Sequence, residues 1–282
     1  MNTPIPDPGR PEENAGPLGA EARRRRIHRL VAEHGFATVE ELARRFGVSA
    51  MTIRRDLERL ARDGLLHRTH GGAVACRGTD AVALALDEPS FRARARRHAA
   101  AKAAIAEAAL ALVAPGATIG LDVGTTTLEL ARRLADREDV RVFTNSLRAA
   151  SVLGQGRAEV YLPGGRVRRG ELSLVGSLAA RELARYWLDV AFVGIAGLTR
   201  DGCFEYSPED NEIKQVYLAR ARRVVVLCDS SKFGRMSVVR VCDLERIDVL
   251  VCEAEPPPAL AAALARAGVA LRLARPVAPE GE

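Results

Sequence analysis

Apolar positions recur at helical spacing three times between residues 21 and 62, and a start or stop signal bounds each recurrence. In "EARRRRIHRLVAEH" (21–34), Ile27, Leu30 and Val31 share one face, and Gly35 stops the pattern. Thr38 is placed to cap a second helix, and Glu41 three residues on completes a capping box. That helix runs to about Phe46 and ends at Gly47. Ser49 caps a third helix reaching about Arg62, with Gly64 as its stop and Val48 and Ile53 as a hydrophobic staple. "LLHRTHGGAV" then reads as strand, Gly-Gly turn and strand. Helix, helix, short glycine turn, third helix and hairpin together predict a winged helix-turn-helix over residues 20–75.

The pattern changes after that. Residues 1–19, rich in Pro, Gly and acids, read as a disordered leader, and 76–94 as an irregular linker. "FRARARRHAAAKAAIAEAALALV" reads as one helix by its alanine content, entering the second domain with its arginines as a solvated face. From residue 117, the runs "ATIGL", "VRVFT", "AEVYL", "DVAFVGI", "RVVVLC" and "IDVLVC" alternate with helical windows. The expectation over 95–282 is an α/β domain with a mostly parallel sheet.

Charge sharpens the division. Residues 20–78 hold thirteen arginines and seven acids, a surplus equal to the net charge of +6 for the whole chain. Such asymmetry favours a nucleic-acid module ahead of a near-neutral domain. Aromatics are only 4% of residues, which argues against stacking on single strands. No apolar run reaches the length of a membrane span, and the N-terminus has no signal-peptide core, so a cytoplasmic protein is expected. Cysteines 76, 203, 228, 242 and 252 form no CxxC pair, which points to reduced thiols and no metal site.

On the third helix, with Ile53 at zero, Leu57 and Leu60 fall within about 40° and form the buried stripe. Met51, Thr52, Arg54 and Arg55 lie opposite, with no acid among them. A recognition helix inserts this N-terminal half into the major groove. Asp56 lies nearer the stripe and is suited to orienting an arginine. "VSAMTIRRDLERLARDGLLHRTHGGAV" resembles the DNA-binding signature of the DeoR family of bacterial transcriptional regulators, carried by "TIRRDL" and "HGGA". That resemblance implies an operator contact by Ser49, Thr52, Arg54 and Arg55, with Arg68 and His70 touching phosphate or the minor groove from the wing.

Ligands of open α/β sheets sit beyond the carboxyl ends of the strands. There "LDVGTTTLEL" places Asp122, then Gly124, Thr125, Thr126 and Thr127 at a helix start, where free N–H groups and the helix dipole suit a phosphate. The loop is neither a Walker A motif nor GxGxxG, so no nucleotide cofactor is expected. Other strand ends supply Asn145, Gly164, Gly165 and Lys232, and a later helix supplies Lys214. Residues 95–275 also resemble the DeoR family, whose effector domain is similar in fold to ribose-5-phosphate isomerase. The resemblance implies a phosphorylated sugar held at the loop, Asp122 and Asn145 on its hydroxyls, and Lys214 and Lys232 supplying positive charge. It also implies a repressor of sugar-catabolic genes, relieved by that effector. A homo-oligomer is expected because symmetric operators are read by paired modules. The alternative is a sugar-phosphate isomerase fused to a DNA-binding module. There the isomerase's acidic motif would be met by Ala196 of "GIAGL", with Glu209 and Asp210 as substitute proton carriers.

Overall fold

The computed structural model describes residues 19–34, 36–62, 65–69, 72–75, 83–85 and 88–274. The leader, apart from Gly19, and His70 lie outside the described residues. The chain divides into two compact units, Met1–Ala83 and Leu84–Glu282.

The first unit contains α1 (Ala20–His34), β1 (Phe36–Thr38), α2 (Val39–Phe46), α3 (Ala50–Arg62), β2 (Leu66–Thr69) and β3 (Gly72–Ala75). Its helix boundaries are local chemistry. Glu41 N–H donates to Thr38 Oγ1 (3.1 Å) and Thr38 N–H donates to Glu41 Oε2 (2.8 Å), a reciprocal capping box. Gly47 closes α2 in the left-handed region at φ 61°, where a side chain would be strained. Ile27, Val31, Leu42, Ile53, Leu57, Leu60 and Leu66 form the core. The hairpin β2–β3 gains a third strand, since β1 pairs antiparallel with β3. Sequence periodicity misses β1, because a three-residue strand is defined by its distant partner.

Asp56 faces inward, 3% exposed, and accepts from Arg23 Nε of α1 at 2.6 Å. An Asp56→Ala substitution is expected to lower the unit's unfolding free energy by about 1.5–3 kcal/mol, the scale of a buried charge-assisted hydrogen bond. Denaturant unfolding measures this, and an unchanged transition would show that the pair contributes nothing.

The second unit begins with β4 (Ala83–Leu84) at its boundary, then α4 (Phe91–Arg96) and α5 (Ala99–Leu110). One continuous helix was expected here. Instead the chain breaks at His98, in the left-handed region at φ 53°. Lys102 explains the break: its buried ammonium donates to the Arg94 and Arg97 carbonyls that end α4. Residues 88–96, expected as linker and solvated face, are thus folded onto the second unit.

Seven parallel strands follow in sequence: β5 (Thr118–Leu121), β6 (Arg141–Thr144), β7 (Glu159–Tyr161), β10 (Val190–Gly194), β13 (Val224–Leu227), β16 (Val249–Cys252) and β17 (Ala270–Leu273). Between β7 and β10 lie the hairpin β8 (Arg166–Arg168) and β9 (Ser173–Val175), and α8 (Ser177–Leu183). β11 (Gly197–Thr199), β12 (Gly202–Glu205) and β15 (Val239–Cys242) form a small antiparallel sheet, and β14 (Arg235–Met236) lies beside it. Helices α6 (Thr125–Leu134), α7 (Leu147–Leu153), α9 (Pro208–Arg220) and α10 (Pro258–Arg266) complete the unit.

The large sheet runs β17-β16-β13-β10-β5-β6-β7. Both faces of its central strands are covered, which is why β10, β13 and β16 read as unbroken apolar runs. Val225 and Leu227 of β13 enter one core with Ile105 and Leu130, while Val224 and Val226 enter the opposite core with Leu260. From β5 the chain winds to β6 and β7 on one side, then returns to β10 on the other. The order therefore reverses between β5 and β10, and the crevice beyond their carboxyl ends is where such sheets bind ligands.

Candidate functional site

Two surfaces answer the sequence expectations, one in each unit. On α3, Ser49 Oγ accepts from Thr52 N–H (3.2 Å) and lies 2.9 Å from Thr52 Oγ1, so both hydroxyls sit at the helix start. Met51 is 55% exposed, an unusual position for a long apolar side chain. Arg54 and Arg55 are exposed and make no ion pair among the described residues. Asp56 is engaged by Arg23 instead. Ser, Met, Thr and two free guanidiniums thus share one exposed face. Arg68 is placed by its backbone on β2, opposite Ala73.

In the second unit a cleft opens beyond the ends of β5, β10 and β13. It is lined by Val123–Thr126, Gly194–Ala196, Leu227–Asp229 and Lys232, with Arg94, Glu205 and Tyr206 closing it. Its volume is about 40 Å³.

Each wall follows from local sequence. Gly124 caps α6 at φ 141°, a backbone region that suits glycine, and no side chain caps the helix. The first-turn N–H groups of α6 therefore have no intrahelical acceptor, and the positive end of the helix dipole faces the cleft. After β13, Asp229 Oδ1 accepts from Ser231 N–H at 3.2 Å and starts a single turn of 3-10 helix ending at Lys232. Ser230 is tied to Glu253, its hydroxyl donating to Oε1 at 2.6 Å. Burial pulls the Lys232 ammonium below the usual lysine range, with Asp229 opposing. Lys232 makes no salt bridge among the described residues. A half-buried cation with no ion pair beside free N–H groups is chemistry suited to an anion.

Beneath the cleft lies a buried triad. Lys214, 0% exposed, pairs with Asp122 and, at 3.1 Å, with Glu205 Oε2. Gly194 N–H donates to Asp122 Oδ2 at 3.0 Å, joining the ends of β5 and β10. Burial pushes the Asp122 carboxyl up to about 7 against the pull of Lys214. The two carboxylates hold the Lys214 ammonium above its ordinary value despite burial.

Of the residues expected at an effector, the cleft gathers Gly124, Thr125, Thr126 and Lys232. Asp122 and Lys214 do not line it, because each is consumed by the other. Thr127 turns its hydroxyl back to the Gly124 carbonyl (3.1 Å) and is fully buried. Asn145 is also fully buried: its side chain donates to Leu174 O (3.3 Å) and accepts from the Tyr217 hydroxyl (3.2 Å). Gly164 and Gly165 are exposed beside α8, and Gly164 N–H donates to Glu182. Glu209 and Asp210, the substitute proton carriers of an isomerase, are not in the cleft. Glu209 pairs with Arg166, while Asp210 pairs with Arg168 and accepts from Ser173 Oγ.

Sequence reasoning missed Arg94, Glu205 and Tyr206. Arg94 sits in an arginine-rich stretch with nothing local to distinguish it. Glu205 had one usable signal, an acid ending the short strand "GCFE". Among the described residues, no cluster of His, Cys, Asp and Glu is placed to hold a metal ion, and no helix is long and apolar enough to cross a membrane.

Comparison with known proteins bears on both surfaces. Residues 23–79 match the DeoR-like helix-turn-helix domain, and residues 97–254 match the DeoR C terminal sensor domain. The HTH-type transcriptional regulator GlpR of Haloferax volcanii is 35% identical, covering 82% of this chain and 89% of its own length. The glycerol-3-phosphate regulon repressor of Escherichia coli K12 is 30% identical, covering 82% of this chain and 90% of its own. Among solved structures, ribose 5-phosphate isomerase A from Methanocaldococcus jannaschii aligns at 23% identity and TM-score 0.35. That alignment covers 47% of this chain, which spans about half of the isomerase (53%). The two family matches together take in α3 and, apart from Arg94, the lining of the cleft: the chain belongs to the DeoR family and is a DNA-binding transcriptional regulator.

Proposed function

We propose that this regulator is a repressor that binds an operator through α3 and the wing, and is released when a phosphorylated sugar enters the cleft of its second unit. The observation that carries the reading is the convergence of the uncapped start of α6 with Lys232 and Arg94 beyond β5, β10 and β13. Free N–H groups and two cations favour a dianion over a neutral sugar. The name of one relative, a repressor of a glycerol-3-phosphate regulon, also speaks for a small phosphorylated ligand. The chain acts in this reading as a symmetric oligomer in the cytoplasm, since one small module reads few base pairs. Release is linkage: the effector shifts operator affinity by its differential affinity for the two states.

The test uses the full chain and a duplex selected from a random pool. Thermal shifts are measured with inorganic phosphate, sn-glycerol 3-phosphate and D-fructose 6-phosphate, and with glycerol and fructose as unphosphorylated controls. Stabilisation by phosphorylated compounds alone, with loss of the duplex on adding one of them, is expected. Equal shifts from the unphosphorylated controls would overturn the phosphate reading.

Arg55 gives a second test. An Arg55→Ala substitution is expected to weaken binding to the selected duplex by about 1–3 kcal/mol and relax its sequence preference if the guanidinium reads a base edge. A phosphate contact would instead lower the salt slope by about one and leave preference intact. Affinity and salt slope both unchanged would return Arg55 to a solvated surface role.

A further inference from the structure

Among the described residues, α4 is the first helix after the chain leaves the DNA-binding unit, and it is held in an unusual way. None of its six residues is buried. Apolar packing therefore does not hold it; charged contacts do. The Lys102 ammonium takes its terminal carbonyls. Arg148 lies over the Phe91 ring, 4.2 Å from the centroid. Arg94 makes the remaining contacts: Nε donates to Pro89 O at 3.1 Å, and Nη2 meets Glu88 Oε1 at 3.3 Å and Glu171 Oε2.

Arg94 also lines the cleft. One guanidinium therefore belongs both to the anchorage of α4 and to the wall facing Thr125, Thr126 and Lys232. Glu171 is 4% exposed, and burial raises its carboxyl pKa, with Arg94 opposing. Glu88 keeps a second partner, accepting from Arg168 Nη1 at 2.8 Å. The Arg94 side chain is 15% exposed and sits on a helix none of whose residues is fully buried, so an anion entering the cleft meets a guanidinium that is already paired.

We infer that Arg94 is the relay between the cleft and the junction: a phosphate dianion takes its guanidinium from Glu171 and Glu88, and α4 shifts with it. This rests on the cleft being a phosphate site, as proposed above. A carboxylate and a phosphate compete for the same planar fork, and the dianion offers more charge and more acceptor oxygens. None of the residues of α4 is fully buried, so the exchange of partners shifts α4 against α6 and is passed back along the chain to β4, where Ala85 N–H is held by Met236 O.

The two sides of this competition predict opposite effects. In the full chain, inorganic phosphate binding is measured by calorimetry and the response of α4 by hydrogen exchange over residues 88–97, at constant ionic strength. For the wild type, phosphate is expected to change exchange across α4. Arg94→Gln should raise the half-saturating phosphate concentration at least tenfold and abolish the α4 response. Glu171→Gln removes the competitor and should lower the half-saturating concentration about threefold or more. A merely structural role would move both variants the same way. If the wild type binds no phosphate, the cleft reading fails and the relay fails with it. If the wild type binds phosphate and Arg94→Gln binds and responds equally, the relay alone is overturned. Should Arg94→Gln misfold, Glu171→Gln decides, and an unmoved or raised half-point overturns the proposal.

Discussion

Lys214→Met is expected to lower the unfolding free energy of the second unit by about 3–5 kcal/mol, the range for a buried ion pair stripped of one partner. Lys214 is fully buried and stands between Asp122 and Glu205. Methionine fills similar space but leaves two buried carboxylates facing each other. Asp122 Oδ1 already has no hydrogen-bond partner among the described residues, so the loss of Lys214 isolates that carboxyl further. The deficit should depend on pH. A carboxyl whose folded pKa is raised contributes stability below its unfolded pKa and loses it as pH rises through the folded one. Asp122 stands at about 7 even with Lys214 present, and rises further without it. The variant should therefore be closest to wild type at about pH 6 and furthest from it above pH 8. Denaturant titrations at the two pH values measure this. Combining Asp122→Asn with Lys214→Met should recover much of the loss. A deficit under about 1 kcal/mol at high pH would show that the triad is solvated and not structural.

Thr126→Glu is expected to abolish release by phosphorylated sugars while leaving operator binding intact. Thr126 is the second residue of α6, 8% exposed, and lines the cleft. A glutamate in a first helical turn is favoured by the dipole, so the unit should fold. Its carboxylate would enter the cleft and repel an incoming dianion from the same N–H groups. Operator affinity is measured with and without each phosphorylated compound. A variant released at the wild-type concentration would remove the α6 start from the site. Permanent release, the carboxylate acting in place of phosphate, would keep the site and reverse the phenotype.

The parts of this protein that its sequence determined are those whose physics is local. The capping box of Thr38 and Glu41, the left-handed Gly47 and the cap at Ser49 each close within five residues, so they are legible without a fold. The faces of α3 follow from helical period alone, and the central strands follow from unbroken apolar runs. The edge strand β17 was hard to read because Arg272 breaks its short apolar run and, with all four residues exposed, no alternation of buried and exposed positions marks it. The break between α4 and α5 depends on Lys102 reaching back five and eight residues to take two carbonyls, against the helical propensity of its neighbours.

Only the tertiary structure decided which polar residues line the cleft. By residue type, Asp122, Asn145 and Lys214 look as suitable as Lys232. The fold brings Lys214 across 92 positions to Asp122, and Tyr217 across 72 to Asn145, and a buried polar group must satisfy its partner before it can serve a ligand. The same folding brings Arg94 and Glu205, which no local pattern marks, to the ends of β5, β10 and β13. Local signals specify where elements start and stop. Which side chains remain free depends on partners distant in sequence, and those are known only once the sheet has formed.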